Sequence, residues 1–439
     1  MNRQETKTNH IAVLGAGLAG LAAGHRLNEM HSDFNIYEKS NFIGGHASTH
    51  KLGNFIFDDG PHVSFTKRPE IKKFLADSVD GDFIEHKSKV LNYWKGHWVK
   101  HPAQCFLYGL PTETIKNCLI DYINAHTSNS NNPQNYAEWC LKNLGKTFSE
   151  EFVFKYTKKY WTLHAKELST DWIGPRIYPP SPEEVIKGAL EPPTNEYHYL
   201  SEFRYPSKGG FASYLKGLNT GNNINLNHEV VSIDIKDKLL TFANGNQTNF
   251  NNLISSLPLP ELIKLLSNVP KNVESAAKQL KCSSVALISL GINRDVDWPE
   301  AHWIYFYDYE ISFSRIHFPH LLSAHNSPPG TGSIQVETYY SDEMPLPESE
   351  MIDRTIKDLI QTGILKKEDE ILVSHQQHVK YANVIFDINR TKNLTVVNDY
   401  LNEIGIERCG RYGDWEYHWT DDSIVSGWDA VDRLYAKLK

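Results

Sequence analysis

Three glycines near the start of the chain are spaced as a phosphate-binding turn. The segment reads Gly15-Ala16-Gly17-Leu18-Ala19-Gly20, and Glu38 follows it. In such a turn the first glycine permits the bend, the second lets the backbone approach a pyrophosphate, and the third lets a helix pack on a strand. A carboxylate about 20 residues further on accepts hydrogen bonds from ribose hydroxyls. The spacing therefore predicts a dinucleotide site, against the alternative of a glycine turn with only a structural role.

The elements around this turn must hold the glycines at the end of a strand. The apolar run 11–14 is typical of a buried parallel strand, and residues 21–27 have helical spacing. Residues 34–37 predict a second strand, which ends at Glu38. The helix N-terminus would present free N–H groups and the positive end of its dipole to the phosphates. This pattern alone does not separate NAD from FAD.

A second pair of glycines follows the acidic residue. Lys39 directly follows Glu38, and Gly44-Gly45-His46 allows another close backbone approach. The segment resembles the extended fingerprint of the flavin superfamily that includes amine oxidases, protoporphyrinogen oxidases and UDP-galactopyranose mutases. In that superfamily the Gly-Gly segment reaches FAD, so the resemblance implies FAD as the cofactor. The alternative is an ordinary loop with two turn glycines.

Later segments have the order of a discontinuous FAD domain. Strand patterns around Val230 and at 239–242 precede Asn244-Gly245, a hairpin signal that predicts pairing with the strand 253–256. A capped C-terminal helix opens at Asp422-Ser423-Ile424 and could direct N–H groups to the flavin pyrimidine. The resemblance implies FAD contacts for Val230 and for this helix start. We predict a Rossmann-type FAD-binding domain from residues 8–65, 206–261 and 405–439.

The two intervening segments, 66–205 and 262–404, are predicted to bind substrate. The first has helical patterns at 70–79, 112–126, 136–144 and 148–161. The second has strand patterns at 284–291, 303–307 and 333–339, with a helix at 349–361. The fold class expected is α/β with α+β insertions, in which a mixed sheet and helices form the substrate portion.

Further motifs narrow the resemblance to UDP-galactopyranose mutases, with the eukaryote-type branch most similar. Gly60-Pro61-His62 looks like the family's histidine loop, and the segments 96–111, 136–139, 156–161, 172–176, 203–210, 313–315 and 410–415 match in order. The resemblance implies that reduced flavin N5 attacks the anomeric carbon of a nucleotide sugar, in surface-polysaccharide biosynthesis. It implies Arg176 and Arg315 as diphosphate clamps, Arg411 near the flavin and His62 on its other side. The alternatives are ion pairs for the arginines and a structural histidine.

Three departures from the mutase pattern keep a second hypothesis open. Leu322 stands where the family commonly has tyrosine, the segment 381–387 lacks Gly-Tyr-Pro-x-Pro, and 418–423 differs from the longer Asn-containing segment of the mutases. The alternative is an FAD-dependent oxidoreductase of amine oxidase or protoporphyrinogen oxidase type that acts by hydride transfer. A binding module without catalysis is a third class.

Composition excludes several other classes. With 45 Lys+Arg against 53 Asp+Glu the net charge is −8, which argues against a nucleic-acid surface. Nothing approaches 18 consecutive apolar residues, so no membrane span is expected. The 5 cysteines include no CxxC pair, so we expect neither a disulfide framework nor a metal site, and we expect a cytoplasmic location. Expected partners are a nucleotide sugar and an external reductant such as NAD(P)H, and the oligomeric state stays open.

Overall fold

A computed structural model describes residues 10–127, 132–192, 201–295 and 300–439. Residues 8 and 9 of the first predicted FAD segment lie outside the described residues. The strands are β1 Ile11–Leu14, β2 Phe34–Tyr37, β3 Thr49–Leu52, β4 Phe55–Asp58, β5 Phe83–Lys87, β6 Val90–Trp94, β7 His97–Lys100, β8 Glu202–Pro206, β9 Ile224–Asn225, β10 Val230–Asp234, β11 Leu239–Phe242, β12 Gln247–Asn249, β13 Asn252–Ser255, β14 Cys282–Ile292, β15 Trp303–Phe306, β16 Arg315–His317, β17 Gly332–Tyr340, β18 Ile371–Val384 and β19 Ile406–Arg408.

Helices connect and cover these strands. The α-helices are α1 Leu18–Glu29, α2 Pro69–Ser78, α3 Thr112–Thr127, α4 Tyr136–Leu144, α5 Lys146–Phe148, α6 Phe154–Trp161, α7 Pro182–Leu190, α8 Leu259–Leu265, α9 Lys271–Lys278, α10 Pro319–Leu322, α11 Ile352–Gln361, α12 Arg390–Glu403, α13 Gly410–Gly413 and α14 Thr420–Leu438. The predicted helix 148–161 is interrupted, because a π-helical turn at Ser149–Val153 separates α5 from α6. The segment Phe211–Leu218, in the second predicted FAD segment, is a 3₁₀ helix.

A five-stranded parallel sheet positions the glycine turn. Its order is β19-β13-β1-β2-β9, so the first strand lies at the centre between β13 and β2. Every residue of β1 is fully buried, as expected for a parallel strand covered on both faces. Helix α1 packs closely on α14, where a Cβ at Gly427 would lie 2.3 Å from the Ala19 carbonyl oxygen. The strand–turn–helix–strand unit predicted at 11–38 is confirmed.

The predicted hairpin has the right turn and the wrong partner. Asn244-Gly245 joins β11 to β12, and β12 pairs antiparallel with β11. The predicted partner strand β13 pairs in parallel with β1 instead. The short polar strand Gln247–Asn249 has no hydrophobic pattern that would reveal it. By contrast, β13 is largely buried, and buried apolar strands are typical of parallel sheets.

A seven-stranded mixed sheet, in the order β18-β14-β17-β16-β15-β6-β7, forms the second layer. Its strands β14, β15 and β17 correspond to the strand patterns predicted at 284–291, 303–307 and 333–339, and the mixed α/β fold class is confirmed. The short central strand β16, the hairpin β6–β7 from the first insertion and the edge strand β18 were not predicted. Strand β18 is largely half-exposed and polar, so its pattern resembles a loop. The domain boundaries given above stay predictions.

None of the helices in the described ranges is long and apolar enough to cross a membrane. The same ranges contain no group of three or more His, Cys, Asp or Glu side chains that could hold a metal ion.

Candidate functional site

One cavity of about 810 Å³ is lined by loop residues that follow strands of the parallel sheet and by residues on the strands of the seven-stranded sheet. Its lining combines glycine-rich backbone with aromatic rings and arginine side chains. Most of the residues predicted to bind FAD are in this lining, namely Gly15, Gly17, Ala19, Glu38, Lys39, Gly44, Gly45, His46, Gly60, Pro61, His62, Arg411 and Ser423. Arg176 and Arg315 line the same cavity. The fold therefore brings the predicted cofactor and substrate residues into one site.

The Glu38 carboxylate closes the glycine turn. Gly15 has a φ of +90°, a conformation that favours glycine, and its N–H donates to the Tyr37 carbonyl oxygen at 2.8 Å. Glu38 accepts the Ala16 N–H at 2.8 Å and the Ser40 N–H at 2.9 Å, one on each carboxylate oxygen. Each oxygen can accept a second hydrogen bond, so the carboxylate retains capacity for ribose hydroxyls.

The space around Gly17 shows whether the turn can accommodate a dinucleotide. Its φ of −74° and ψ of 178° suit any residue, and a Cβ built there would meet only Gly44 O and Gly45 Cα, both at 3.9 Å. The protein itself therefore does not require glycine at this position. Helix α1 begins directly afterwards without a side-chain cap, so its first N–H groups are available to an anion. These residues fit a bound pyrophosphate.

Gly20 is required for a different reason. A Cβ at Gly20 would lie 1.9 Å from the Gly15 carbonyl oxygen, so only glycine lets the helix cross the turn. Although Gly20 is not in the cavity lining, it sets the position of the residues that are.

Two histidines lie beside the glycine-rich backbone. The Nδ1 atom of His62 lies 3.1 Å from the Gly60 carbonyl oxygen, and its ring packs at 5.5 Å on Phe211. The ring of His46 contacts Tyr412 edge-on at 5.3 Å. Burial lowers the pKa of His62, and it lowers the pKa of His46 to about 4. Both imidazoles are therefore neutral at pH 7.

Arg176 is held by aromatic rings and backbone carbonyls. Its guanidinium lies 4.5 Å from the Tyr417 ring centre and 4.6 Å from that of Trp419. It donates to the carbonyl oxygens of Trp172 and Tyr417. No carboxylate of the described residues pairs with Arg176. The cation is thus fixed in place with its charge uncompensated.

Arg315 is in the opposite electrostatic situation. It forms a two-pronged ion pair with Glu337, in which Nη2 donates to Oε1 at 2.8 Å and Nε donates to Oε2. The two residues face each other across β16 and β17. The ion-pair alternative considered for the arginines thus describes Arg315, whereas a diphosphate contact stays a prediction.

The electrostatic surroundings of Arg411 resemble those of Arg176 rather than those of Arg315. Its Nη2 donates to the Asn383 side-chain oxygen at 3.1 Å, and its guanidinium lies 4.7 Å from the Tyr417 ring. Within the described ranges no acidic side chain pairs with it. Tyr417 therefore contacts the guanidinium groups of both Arg176 and Arg411.

Besides Gly20, three predicted FAD contacts lie outside the cavity lining. Val230 pairs with Phe242 in the three-stranded sheet, and Ile424 is fully buried in the hydrophobic core. Asp422 accepts the Trp419 N–H at 3.0 Å and the Arg68 guanidinium at 2.9 Å, so it caps α14 and forms an ion pair. Any role of these three residues in FAD binding stays a prediction.

Several lining residues were not predicted as site residues from the sequence. Tyr156, Tyr160 and Trp161 belong to the segment 148–161, for which the sequence predicts a helix, and all three line the cavity. Residues not considered as site residues at all include Glu337, Tyr305, Tyr339, Asn383, Tyr417 and Trp419. No motif marks Glu337. Its only sequence signal is that alternation along β17 puts residues 335, 337 and 339 on one face.

Comparisons with known proteins agree with this architecture. The family model described as flavin containing amine oxidoreductase matches residues 18–393. The chain superposes on a crystal structure of reduced UDP-galactopyranose mutase with a TM-score of 0.93, 24% identity and coverage of 98% of this chain and 96% of that one. A redesigned putrescine oxidase gives a TM-score of 0.67 at 13% identity, covering 97% and 99% of the two chains. At the level of the fold, the predicted resemblance is confirmed.

The curated relatives match over shorter stretches. A dTDP-fucopyranose mutase of Escherichia coli is 26% identical over 170 residues, which are 36% of this chain and 44% of that protein. The chain therefore spans less than half the length of the curated relatives it matches first.

Proposed function

This chain belongs to the family of flavin-containing amine oxidoreductases, and we propose that it is an FAD-dependent mutase of a nucleotide-linked sugar. Its cofactor is FAD. The observation that carries the proposal is the uncompensated guanidinium of Arg176 in the cavity beside the glycine turn. A fixed cation suits an anionic diphosphate and is unfavourable for the cationic amines that amine oxidases bind. The dTDP-fucopyranose and UDP-galactopyranose mutases among the similar proteins act on substrates of this kind.

The protein's own residues suit the departure of a diphosphate. When bound in its reduced form, FAD supplies a nucleophilic nitrogen, N5, that can displace the diphosphate from the anomeric carbon. In this proposal Arg176 stabilises the negative charge that develops on the leaving oxygens, and Arg411 adds a second cation. Because aromatic rings hold both guanidinium groups, little reorganisation is needed when that charge appears.

Tyrosine side chains line the same cavity and would exclude water from the reacting carbon. Burial raises the pKa of Tyr156, Tyr160 and Tyr305, so each phenol stays protonated at neutral pH. A neutral phenol can donate a hydrogen bond to a sugar hydroxyl without adding charge to the site. The neutral His62 ring, next to the Gly60 turn, is a further polar contact of this kind.

The second candidate is oxidation of a substrate by hydride transfer to FAD. The family match and the likeness to putrescine oxidase favour it. It predicts that an amine or another substrate that donates hydride bleaches oxidised flavin and, in air, yields peroxide.

A nucleotide-sugar panel separates the two candidates. The FAD-loaded protein, reduced with dithionite or left oxidised, is incubated anaerobically with UDP- and dTDP-linked hexopyranoses, and the products are separated by chromatography. The mutase proposal expects a new isomer in the reduced samples and none in the oxidised ones. The Arg176→Gln variant should lose this activity while its FAD spectrum stays unchanged. Absence of any isomer over the panel, together with amine-dependent bleaching, would move the assignment to the oxidoreductase.

A further inference from the structure

Lys159 is a buried amine outside the cavity lining, and the proposed reaction does not use it. The residue lies on α6 and is only 6% exposed. Its Nζ atom donates to the carbonyl oxygens of Phe306 at 3.0 Å and Asp308 at 2.9 Å. Burial lowers the pKa of this amine to about 7, and three acidic side chains partly oppose the shift, namely Asp308, Asp358 and Glu310. An apolar side chain would fill this space without the cost of burying a polar group, so the hydrogen bonds of the amine are what distinguish it.

These hydrogen bonds join α6 to the loop between β15 and β16. Phe306 is the last residue of β15, and Asp308 lies in the loop. The loop also bonds back to the helix, because the Ser314 hydroxyl donates to the Lys159 carbonyl oxygen at 3.1 Å. The Asp308 carboxylate has a different partner, since it accepts the Lys95 N–H at 2.7 Å. One residue of the helix thus forms three hydrogen bonds with this part of the sheet.

Helix α6 depends on such contacts because it is short and irregular at both ends. It has 8 residues, follows the π-helical turn Ser149–Val153, and ends at Thr162, whose φ of +62° lies outside the helical region. A helix of this length has little stability of its own, so contacts with the rest of the protein set its position. Tyr156 and Tyr160 of the same helix line the cavity. A shift of α6 would therefore move part of the cavity wall.

Tyr160 connects this helix to the arginine residues of the site. Its hydroxyl donates to the Asn383 side-chain oxygen at 3.2 Å and lies 2.9 Å from the Tyr417 hydroxyl. The same Asn383 oxygen accepts a hydrogen bond from Arg411. The Tyr417 ring contacts the guanidinium groups of Arg176 and Arg411. A displaced Tyr160 would thus release the two side chains, Asn383 and Tyr417, that contact these guanidinium groups.

We propose that Lys159 is a positioning residue for the nucleotide-sugar site. By bonding α6 to the loop between β15 and β16, it keeps Tyr160 in contact with Tyr417. Tyr417 in turn holds Arg176 and Arg411 in place for the diphosphate. Lys159 itself contacts no ligand in this arrangement, and the inference rests on the proposed function.

Lys159→Met tests the proposal, because it keeps the length of the side chain and removes the hydrogen-bond donors. The dissociation constants of UDP and dTDP are measured from the flavin difference spectrum of the FAD-loaded protein. We expect the variant to bind both nucleotides about tenfold more weakly, with FAD affinity within about twofold of the wild type. The matched control is Lys158→Met, at the neighbouring residue, whose amine donates to the Thr162 carbonyl oxygen at 2.8 Å. It should bind both nucleotides within about twofold of the wild type.

A double-mutant cycle shows whether Lys159 acts through Tyr160. Tyr160→Phe removes the hydroxyl contacts and keeps the ring, and we expect it to weaken nucleotide binding about fivefold. If Lys159 acts through Tyr160, the double variant should bind no more than about twofold more weakly than Lys159→Met alone. Two independent effects would instead multiply to about fiftyfold, which is the result that a merely structural role of Lys159 predicts.

Ser314→Ala provides a further test that is mild enough to keep the fold. It removes the hydrogen bond from the loop to the Lys159 carbonyl oxygen and leaves the amine in place. We expect affinity for UDP and dTDP to fall about threefold while FAD affinity is unchanged.

Four results would contradict the inference, and they differ from a failure of the proposed function. The inference is wrong if Lys159→Met binds both nucleotides like Lys158→Met, or if it no longer retains FAD, which would show a role in the fold as a whole. It is also wrong if the effects of Lys159→Met and Tyr160→Phe multiply, or if Ser314→Ala binds both nucleotides like the wild type. A wild-type protein that binds neither UDP nor dTDP would overturn the proposed function itself, and the inference with it.

Discussion

The glycine turn differs in its assembly from the arginine wall, which is the part of the cavity that carries Arg176, Arg315 and Arg411. The turn is built within residues 15–47, largely from backbone groups whose geometry depends on neighbours close in sequence. The arginine wall is built from side chains that meet over long distances along the chain. Arg176, for example, donates to the carbonyl oxygen of Tyr417, which is 241 positions away. A site formed by backbone groups of one segment tolerates few substitutions within that segment. A site formed by side chains depends instead on how segments that are remote along the chain pack together.

The largest effect that this comparison predicts is at Gly20. A Cβ at this position would lie 1.9 Å from a backbone oxygen of the turn, so we expect Gly20→Ala to destabilise the protein by more than about 4 kcal/mol. Urea unfolding followed by tryptophan fluorescence measures the change. Asn28→Gly, at an exposed position of the same helix, should cost under about 1 kcal/mol. If Gly20→Ala had the same urea midpoint of unfolding as the wild type, the close approach of the helix and the turn would be contradicted.

The next prediction concerns the stability of the protein at acid pH, which we expect to depend on a buried histidine of the predicted substrate-binding segment 262–404. His302 is buried, accepts the Lys89 N–H at 3.0 Å, and has its pKa lowered to about 4 by burial. The unfolded chain binds a proton here near pH 6.5 and the folded chain does not, so stability falls as the pH falls from about 6.5 to 4. The loss is at most about 3 kcal/mol.

His302→Asn isolates this contribution. The asparagine oxygen can accept the same N–H and does not titrate, so the free energy of unfolding of the variant should depend less on pH over this window. Parallel curves for the variant and the wild type would show that His302 is not the titrating group.

Gly17→Ala should separate cofactor binding from folding. The space around a Cβ at Gly17 is open within the protein, so the melting temperature of the FAD-free chain should match the wild type. If a pyrophosphate approaches this backbone, the added methyl group blocks it, and we expect FAD affinity to fall about 100-fold, or about 2.7 kcal/mol. Fluorescence titration with FAD measures the affinity. An unchanged dissociation constant would place the cofactor elsewhere.

Arg390 tests whether the arginine wall depends on remote packing. Its buried guanidinium donates to the Trp415 carbonyl oxygen and to Glu416, next to the segment that carries Tyr417. Arg390→Lys retains the charge and loses the planar fork, so Tyr417 should be held less firmly. We expect UDP and dTDP affinity to fall about tenfold, or about 1.4 kcal/mol, with FAD affinity within twofold. An equal loss for both ligands would mean that the two regions are not independent.

The sequence predicted the turn region well because its signals are local. The strand at 11–14, the helix after it and the position of Glu38 all follow from residue spacing and from the special φ that glycine allows. The error at the hairpin has the same origin. The Asn-Gly turn is a local signal and was found, whereas the pairing of β13 with β1 is a non-local contact that no turn signal encodes.

For the arginine wall, the sequence predicted only the types of residue and not their contacts. The sequence identified Arg176, Arg315 and Arg411, and all three line the cavity. It did not reveal that Arg315 pairs with Glu337 while Arg176 contacts two aromatic rings. A guanidinium can bind a phosphate, a carboxylate or a ring face, and its charge alone does not choose among them.

By itself, the sequence determined the glycine turn, the acid beside it and the parallel strands that hold them. These depend on steric rules that act over a few residues. Only the tertiary structure decided that Arg315 pairs with a carboxylate while Arg176 and Arg411 do not, because that depends on strand register and on the segment 415–419 folding back over Arg176. The balance of charge in the site is thus a property of contacts between segments that are remote along the chain.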